Sequence, residues 1–223
     1  MVKINLKHTI VLAFALFVSN IVLAQQPPFY QDIQHFKQSD SQHFPEKNAI
    51  LFVGSSSFTK WTDVQDYFPG YTIINRGFGG STLPDVIRYA NDIIYPYLPK
   101  QVVIYCGDND FAVSDTVTAN MVVGRVRTLF GMVRTILPYA AIEYVAIKYS
   151  PSRKNLWPKI AQANKMIAAF FQKQSNAGFI DITVPMKKGN ELVDESLFLS
   201  DMLHMQPAGY RLWQKAIEPY LIK

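Results

Sequence analysis

The sequence is short of two things, cysteine and clustered positive charge. Its only cysteine, Cys106, cannot form a disulfide within the chain, and its position in an apolar run predicts a buried small side chain. The formal charge is +5, but the lysines and arginines are dispersed along the chain. Because no basic run could follow a phosphate backbone, we expect no nucleic-acid partner.

Charged residues are also scarce, at 17% of the chain, whereas hydrophobic residues make up 49%. Neither an internal repeat nor a low-complexity tract is present. A chain of 223 residues is long enough for one sizeable core and too short for two ordinary domains. We predict a single domain at residues 46–223, preceded by a polar N-terminal segment at residues 25–45.

The first 24 residues have the pattern of a secretory signal peptide. Lys3 and Lys7 precede an apolar run at residues 10–18, and small residues at 22–24 suit a cleavage site. An uncleaved membrane anchor is the alternative, but polar residues interrupt the apolar run and no basic flank follows it. We therefore expect an exported protein, periplasmic or extracellular, with no stable membrane span after cleavage.

Short apolar runs alternate with helical patterns along the rest of the chain. Such alternation predicts an α/β fold, a parallel sheet covered by helices on both faces. The strands are predicted at residues 50–53, 71–74, 101–106, 142–149 and 179–183. The helices are predicted at residues 30–39, 58–67, 84–95, 114–137, 158–176 and 207–220.

Three serines, Ser55 to Ser57, follow the first predicted strand and Gly54. Ligands of parallel sheets bind at the carboxyl ends of the strands, so these hydroxyls are candidate nucleophiles. The alternative is that they only cap the helix that follows, because serine is a preferred N-cap residue.

Polar loops follow the next two strands as well. A glycine-rich turn at residues 75–82 can bring bare backbone N–H groups close to a ligand. The third strand ends in the sequence Gly-Asp-Asn-Asp at residues 107–110. Taken alone, the glycines favour the alternative of an ordinary turn.

Asp201 and His204 lie three residues apart near the C terminus, so their side chains can meet in a turn. A carboxylate bound to imidazole Nδ1 leaves Nε2 free to accept a proton from a serine. A helix-entry aspartate with a surface histidine is the alternative. His35 and His43 could bind a metal, but we expect both to be surface residues.

The three serines, the glycine-rich turn, the Gly-Asp-Asn-Asp loop and the Asp201–His204 pair form four sequence blocks. In this order the blocks resemble those of the SGNH hydrolases, the GDSL-type lipases and acylhydrolases, over residues 50–213. The resemblance implies a flavodoxin-like three-layer α/β/α fold of five parallel strands, with no metal and no organic cofactor. It also implies a Ser-His-Asp triad and an oxyanion hole, with Gly79 as a second register for the glycine donor. The implied catalytic residues are Ser56, His204 and Asp201, and the implied oxyanion donors are Ser56, Gly80 and Asn109.

Ser55 and Ser57 replace the Asp and Leu of the family's name motif. Members resembling platelet-activating-factor acetylhydrolases and carbohydrate esterases carry similar serine-rich versions. The resemblance therefore implies an active serine esterase. Export, the lack of a long apolar lid segment and the aromatic residues near the blocks favour small-molecule or carbohydrate esters with short acyl groups such as acetyl. Aromatic residues near the blocks are expected to pack in the core rather than form sugar platforms: Phe58, Trp61, Phe78, Phe111 and Trp157.

Other functions remain open on the sequence alone. A lysophospholipase or thioesterase would use the same site. A non-catalytic exported domain could instead cradle a phosphate or a flavin phosphate in its serine-rich loop, although it would give Asp201 and His204 no task. A degenerate, inactive esterase is disfavoured because every expected catalytic residue type is present.

Overall fold

A computed structural model describes residues 26–223. The predicted signal peptide lies outside the described residues. Five parallel strands form one sheet in the order β2-β1-β3-β4-β5. The strands are β1 Ile50–Gly54, β2 Ile73–Gly77, β3 Gln101–Tyr105, β4 Ala141–Val145 and β5 Ala177–Ile180.

Helices connect the strands and cover both faces of the sheet, which confirms the predicted α/β/α architecture. Side chains alternate along each strand, so that in β1 Leu51 and Val53 face one core while Ile50 and Phe52 face the other. The helices are α1 Tyr30–Gln42, α2 Ser56–Thr59, α3 Val64–Tyr67, α4 Leu83–Arg88, α5 Ala90–Ile93, α6 Asp108–Ala112, α7 Ala119–Ile136, α8 Trp157–Phe171 and α9 Pro207–Ile217. Within residues 26–223, no helix is both long enough and apolar enough to cross a membrane.

Two predicted helices are broken, and a side chain from β2 contacts the backbone at one of the breaks. The segment predicted as one helix at residues 58–67 forms α2 and α3 instead. Asn75 Nδ2 donates to the carbonyl oxygen of Phe58 at 2.7 Å, which ties the end of α2 to β2. The helix predicted at residues 84–95 divides at Tyr89, which has a non-helical ψ of 10°.

All five strands differ in length from the prediction, and the contacts of β2 and β4 show why. Strand β2 continues to Gly77 because its last residues pair with β1, whereas the sequence suggested a turn from Asn75 onwards. Strand β4 ends at Val145 although the apolar run continues to Tyr149. Beyond Val145, the Asn164 side chain accepts from the Ile147 amide at 2.9 Å and donates to its carbonyl oxygen at 2.8 Å. A side-chain amide thus replaces the backbone partner that a strand would need.

The N-terminal segment packs against the β2 edge of the sheet. Asp40 of α1 forms an ion pair with Arg76 of β2, and both side chains are 12% exposed. Ahead of α1, the Phe29 ring lies edge-on to the Phe78 ring, with centroids 5.3 Å apart. Residues 26–45 are therefore anchored close to the glycine-rich turn that follows β2.

Glu143 of β4 is a buried carboxyl group at 7% exposure. Its Oε2 has no hydrogen-bond partner among the described residues and lies over Gly178, where a Cβ would come within 2.2 Å of it. Burial raises the pKa of Glu143 to about 7, against an opposing contribution from Gln101. The folded protein therefore holds this proton more tightly than the unfolded chain.

We expect the burial of Glu143 to make the protein less stable as pH rises from about 4.5 to about 7, because the folded state then has to ionise the buried carboxyl group. Glu143→Gln should raise the free energy of unfolding by about 2–3 kcal/mol at pH 8 and change it little at pH 4.5. Urea denaturation at both pH values measures the difference. The exposed Glu191→Gln is the matched control, and an equal effect of Glu143→Gln at both pH values would contradict the prediction.

Candidate active site

The loops after β1, β2 and β3 meet at the carboxyl edge of the sheet. Gly54 pairs with Gly77 on one side and with Tyr105 on the other. The Phe78 amide donates to the Gly54 carbonyl oxygen at 2.9 Å, and the Ser55 amide donates to that of Tyr105 at 3.0 Å. Gly54 has φ +145°, and a Cβ there would lie 1.8 Å from the Tyr105 carbonyl oxygen, so only glycine fits this crossing.

Of the three serines, only Ser56 is accessible to solvent. It is the first residue of α2 and is half-buried, whereas Ser55 and Ser57 are each 1% exposed. Ser55 occupies the N-cap position, but its side chain makes no capping hydrogen bond and its Oγ has no partner in the described part of the chain. Ser55 therefore has the position that the helix-capping alternative predicts, but it does not make the capping hydrogen bond.

The glycine-rich turn places Gly79 beside Ser56, with Gly80 next in the chain, and both glycines are exposed. A Cβ on Gly79 would lie 4.0 Å from Ser56 Cβ, and a Cβ on Gly80 would lie 3.8 Å from the Phe29 ring. Among residues 26–223, neither glycine amide donates to a protein acceptor. Both amides are thus available to a ligand. Their hydrogen bonding therefore does not distinguish Gly79 from Gly80 as the predicted oxyanion donor.

The Asn109 side chain, 8% exposed, is held at both ends. Its Nδ2 donates to the Ser81 carbonyl oxygen at 2.9 Å, and its Oδ1 accepts from Arg153 Nη2 at 2.8 Å. Nearby, Asp110 Oδ2 accepts from the Leu83 amide at 2.9 Å, which joins the loop after β3 to the start of α4. One N–H of the Asn109 amide remains for a ligand.

Asp201 and His204 contact each other as their spacing predicts. Asp201 Oδ2 lies 2.6 Å from His204 Nδ1. Asp201 Oδ1 accepts from the backbone amides of Leu203 and His204, each at 2.9 Å. The hydrogen bond from His204 holds the pKa of Asp201 well below its ordinary value, so this carboxyl group is ionised at neutral pH.

The loop that carries Asp201 and His204, called the histidine loop below, is hydrogen-bonded to loops earlier in the chain. At the start of α9, Tyr210 donates its hydroxyl proton to the carbonyl oxygen of Ser57 at 2.9 Å. The Ser152 amide donates to the Met202 carbonyl oxygen at 3.0 Å. Within residues 26–223, Ser56 Oγ makes no hydrogen bond to His204. A Ser56–His204 hydrogen bond would have to form as substrate binds, because catalytic hydrogen bonds are often long in the free enzyme.

The sequence pattern of GDSL-like lipases and acylhydrolases matches residues 52–212, which include all four blocks. The chain belongs to this GDSL-like lipase/acylhydrolase family. Membership indicates an ester-bond hydrolase rather than the alternative of a non-catalytic binding domain. No curated protein matches the chain by sequence.

Solved structures with this fold support the family assignment at the level of architecture. A Streptococcus pneumoniae protein, provisionally named a platelet activating factor, is 18% identical with a TM-score of 0.75, covering 98% of this chain and 100% of its own. A GDSL-like lipase from Bacteroides thetaiotaomicron is 18% identical with a TM-score of 0.71, covering 84% and 95%. A variant of an acetyl-xylooligosaccharide esterase from Geobacillus stearothermophilus is 15% identical with a TM-score of 0.63, covering 80% and 96%. At these identities the likeness shows the shared fold.

This acylhydrolase also has a buried charged cluster that the sequence did not reveal. Lys148, 1% exposed, places its Nζ 3.1 Å from Ser57 Oγ, 3.0 Å from the Tyr105 hydroxyl and 3.4 Å from Asp108 Oδ2. Burial lowers the pKa of Lys148, although Asp108 opposes this shift. Burial also disfavours ionised Asp108, but Lys148 and Arg153 outweigh it and lower its pKa. The only sequence signal was a lysine inside an otherwise apolar run.

Most of the aromatic residues near the blocks belong to the core. Phe58, Trp61, Phe78 and Phe111 are at most 1% exposed, which confirms the prediction of core packing for these four. Trp157 is half-buried and donates its indole N–H to the Ser150 carbonyl oxygen at 3.0 Å. None of the four buried rings can serve as a sugar platform.

The remaining predictions concern metal ligands and the cysteine. His35 and His43 are exposed, and the described residues contain no group of three or more side chains suited to hold a metal ion. Cys106 is free and buried, as predicted. Its thiol lies 3.6 Å from the Ser81 carbonyl oxygen, the acceptor that also holds Asn109.

Proposed function

We propose that this family member is an exported serine esterase in which Ser56 is the nucleophile, His204 the general base and Asp201 the residue that orients the imidazole. The observation that carries the proposal is the 2.6 Å contact between Asp201 and His204 Nδ1, which leaves Nε2 as the proton acceptor. Ser56 supports it further, as the one accessible serine in the loop after β1.

The reaction proceeds by two acyl transfers. Ser56 Oγ attacks the ester carbonyl carbon as His204 Nε2 takes its proton, and the carbonyl oxygen becomes an oxyanion. The backbone N–H groups of Ser56 and Gly80 and the free N–H of Asn109 stabilise that charge. His204 then protonates the departing alcohol. Water then attacks the acyl-enzyme and gives a proton to His204. The imidazolium returns that proton to Ser56 Oγ as the bond to the acyl group breaks, which releases the acid and restores the serine.

The choice of Gly80 over Gly79 follows the family's second block. Gly80 takes a left-handed φ of +83°, a conformation favoured by glycine. Its amide makes no hydrogen bond among the described residues, as an oxyanion donor requires.

Short acyl esters of bulky alcohols, such as acetylated carbohydrates, are the proposed substrates. The candidate residues lie near the surface, since Gly79 and Gly80 are exposed and the Asp201 side chain is 47% exposed. A long acyl chain gains about 0.8 kcal/mol per buried CH₂, which an open site does not supply. A structural neighbour is named an acetyl-xylooligosaccharide esterase, which agrees with this substrate class.

Longer acyl chains are a second candidate, as in a lysophospholipase. Leu199 and Met202 flank the catalytic pair on the histidine loop and are 42% and 38% exposed. The Leu199 amide donates to the His204 carbonyl oxygen at 2.7 Å, and the Met202 amide donates to that of Leu199 at 2.8 Å, so both residues are held on the loop that carries the imidazole. They could pack against a chain that lies along the surface.

Hydrolysis of p-nitrophenyl esters of increasing acyl length separates the two candidates. We expect kcat/KM not to rise between acetate and octanoate, because the additional methylenes find no buried surface and so add no binding energy. Leu199→Ala should leave acetate hydrolysis unchanged. A rise in kcat/KM with chain length that Leu199→Ala abolishes would instead establish the lipid-ester candidate.

Export is proposed from the signal-peptide pattern at residues 1–24, which lies outside the described residues. Esters of extracellular carbohydrates would be available to such a protein. An N terminus at Gln25 in the protein recovered outside the cytoplasm, read by mass spectrometry, is the expected result. Recovery of the full-length chain from the cytoplasm would contradict export.

A further inference from the structure

Arg153 contacts the candidate oxyanion residue from a different loop. It lies in the 3-10 turn Pro151–Leu156 after β4, where its non-helical φ of −118° and ψ of 30° interrupt the turn. Its Nη2 donates to Asn109 Oδ1 at 2.8 Å, and its Nη1 lies 3.0 Å from Asp108 Oδ2. The Nη1 contact is an ion pair without hydrogen-bond alignment.

The contacts of Asn109 with Arg153 and with the Ser81 carbonyl oxygen together fix the orientation of its side-chain amide. A flipped amide would present Oδ1 to the developing oxyanion and repel it. Arginine has donors only, so Arg153 can bind Oδ1 but not Nδ2. The Ser81 carbonyl oxygen takes one N–H of Nδ2, which leaves the other N–H as the single free donor.

We infer that Arg153 is a positioning residue that holds the Asn109 amide with its free N–H towards the ester oxygen. The inference rests on the proposed function, because it assumes that Asn109 is an oxyanion donor. Arg153 itself need not touch the substrate. Its charge also polarises the Asn109 amide, which makes the free N–H a stronger donor as negative charge develops.

Arg153 is held in place from two sides. Asp108, 3% exposed, pairs with the guanidinium and is itself paired with buried Lys148. The adjacent Ser152 amide bonds to the Met202 carbonyl oxygen, which ties this turn to the histidine loop. The Arg153 side chain is 18% exposed, so its rotation is restricted. These contacts connect the oxyanion residue with the loop that carries the acid–base pair.

A double-mutant cycle tests whether Arg153 acts through Asn109. Asn109→Ala should lower kcat for p-nitrophenyl acetate by about 100–1,000-fold. Arg153→Met should lower kcat by about 10–100-fold with little change in KM. The reason is that the Asn109 N–H stabilises the oxyanion of the transition state and not the bound ester. In the Asn109→Ala background, Arg153→Met should lower kcat by less than about threefold, because the residue through which Arg153 acts is already missing.

Arg153→Lys covers the case in which Arg153→Met fails to fold. It keeps a positive charge beside Asp108 but lacks the planar fork that reaches both partners, so kcat should still fall by about tenfold or more while the melting temperature stays close to that of the wild type. Arg134→Met is the matched control. Arg134 donates to the carbonyl oxygens of Pro138, Ala140, Ser175 and Asn176, away from the site, so its loss should lower stability without lowering kcat.

Equal losses from Arg153→Met in the wild-type and Asn109→Ala backgrounds would overturn the inference, as would wild-type kcat in folded Arg153→Lys. Failure of the proposed function has a different signature. Wild-type kcat in Asn109→Ala would remove Asn109 from the oxyanion hole, and wild-type kcat in Ser56→Ala would remove the serine mechanism.

Discussion

Ester hydrolysis is expected to fall by about 10⁵–10⁶-fold in kcat when Ser56 is replaced by alanine. Without Oγ no acyl-enzyme can form, and the remaining donors stabilise only direct attack by water. The neighbouring serines cannot substitute, because Ser55 and Ser57 are buried and Ser57 Oγ is engaged by Lys148 at 3.1 Å. Initial rates with p-nitrophenyl acetate, measured for both proteins in parallel, give the ratio.

Ser55→Ala is the matched control for Ser56→Ala. It removes a hydroxyl from the same loop, one residue away, where Oγ has no hydrogen-bond partner among the described residues. We expect its kcat to be within about twofold of the wild type. A fluorophosphonate ester should label the wild-type protein on Ser56, identified by peptide mass spectrometry. Labelling of another serine, or loss of activity in Ser55→Ala alone, would contradict the assignment.

Asp201→Asn is expected to lower kcat by about 10⁴-fold while the fold is kept. An asparagine can still accept from the Leu203 and His204 amides through Oδ1, so the loop geometry is preserved. Its NH₂ group then replaces Oδ2 opposite His204 Nδ1. Because two donors cannot pair, the proton moves to Nε2, and the imidazole can no longer accept a proton from Ser56.

The test of Asp201→Asn needs a control for the turn itself. Asp181 forms a similar turn, accepting from the Thr183 amide at 2.8 Å, without a histidine beside it. Asp181→Asn should therefore leave kcat unchanged. Comparable losses in the two variants would assign the effect to turn structure, and near-wild-type kcat in Asp201→Asn with an unchanged melting temperature would remove Asp201 from the mechanism.

Much of the fold could be predicted because its signals are local. Short β-branched runs and the helical spacing of apolar residues lie within windows of a few residues, and they placed all five strands of the sheet. The element ends were predicted less well. Asn75 and Asn164 reach across the chain to the backbone at Phe58 and Ile147, and a side chain that bonds a distant backbone leaves no periodic signal.

The candidate site divides in the same way. The types and spacing of Ser56, Asp201 and His204 were readable from the sequence, since each lies in a short block at a strand or helix end. The sequence did not show that Ser56 is the accessible one of the three serines, because the burial of each serine depends on which loops pack around it. The same holds for Arg153, whose contact with Asn109 joins residues 44 positions apart.

The sequence by itself determined the α/β class, the family and the candidate catalytic residues. Only the tertiary structure decided which end of the Asn109 amide is free, how Lys148 and Arg153 pair with Asp108, and that Glu143 is buried with one oxygen unpaired. Amide orientation, ion pairing and desolvation are properties of groups brought together from distant parts of the chain. Apolar periodicity and catalytic blocks, in contrast, are each contained in a few consecutive residues.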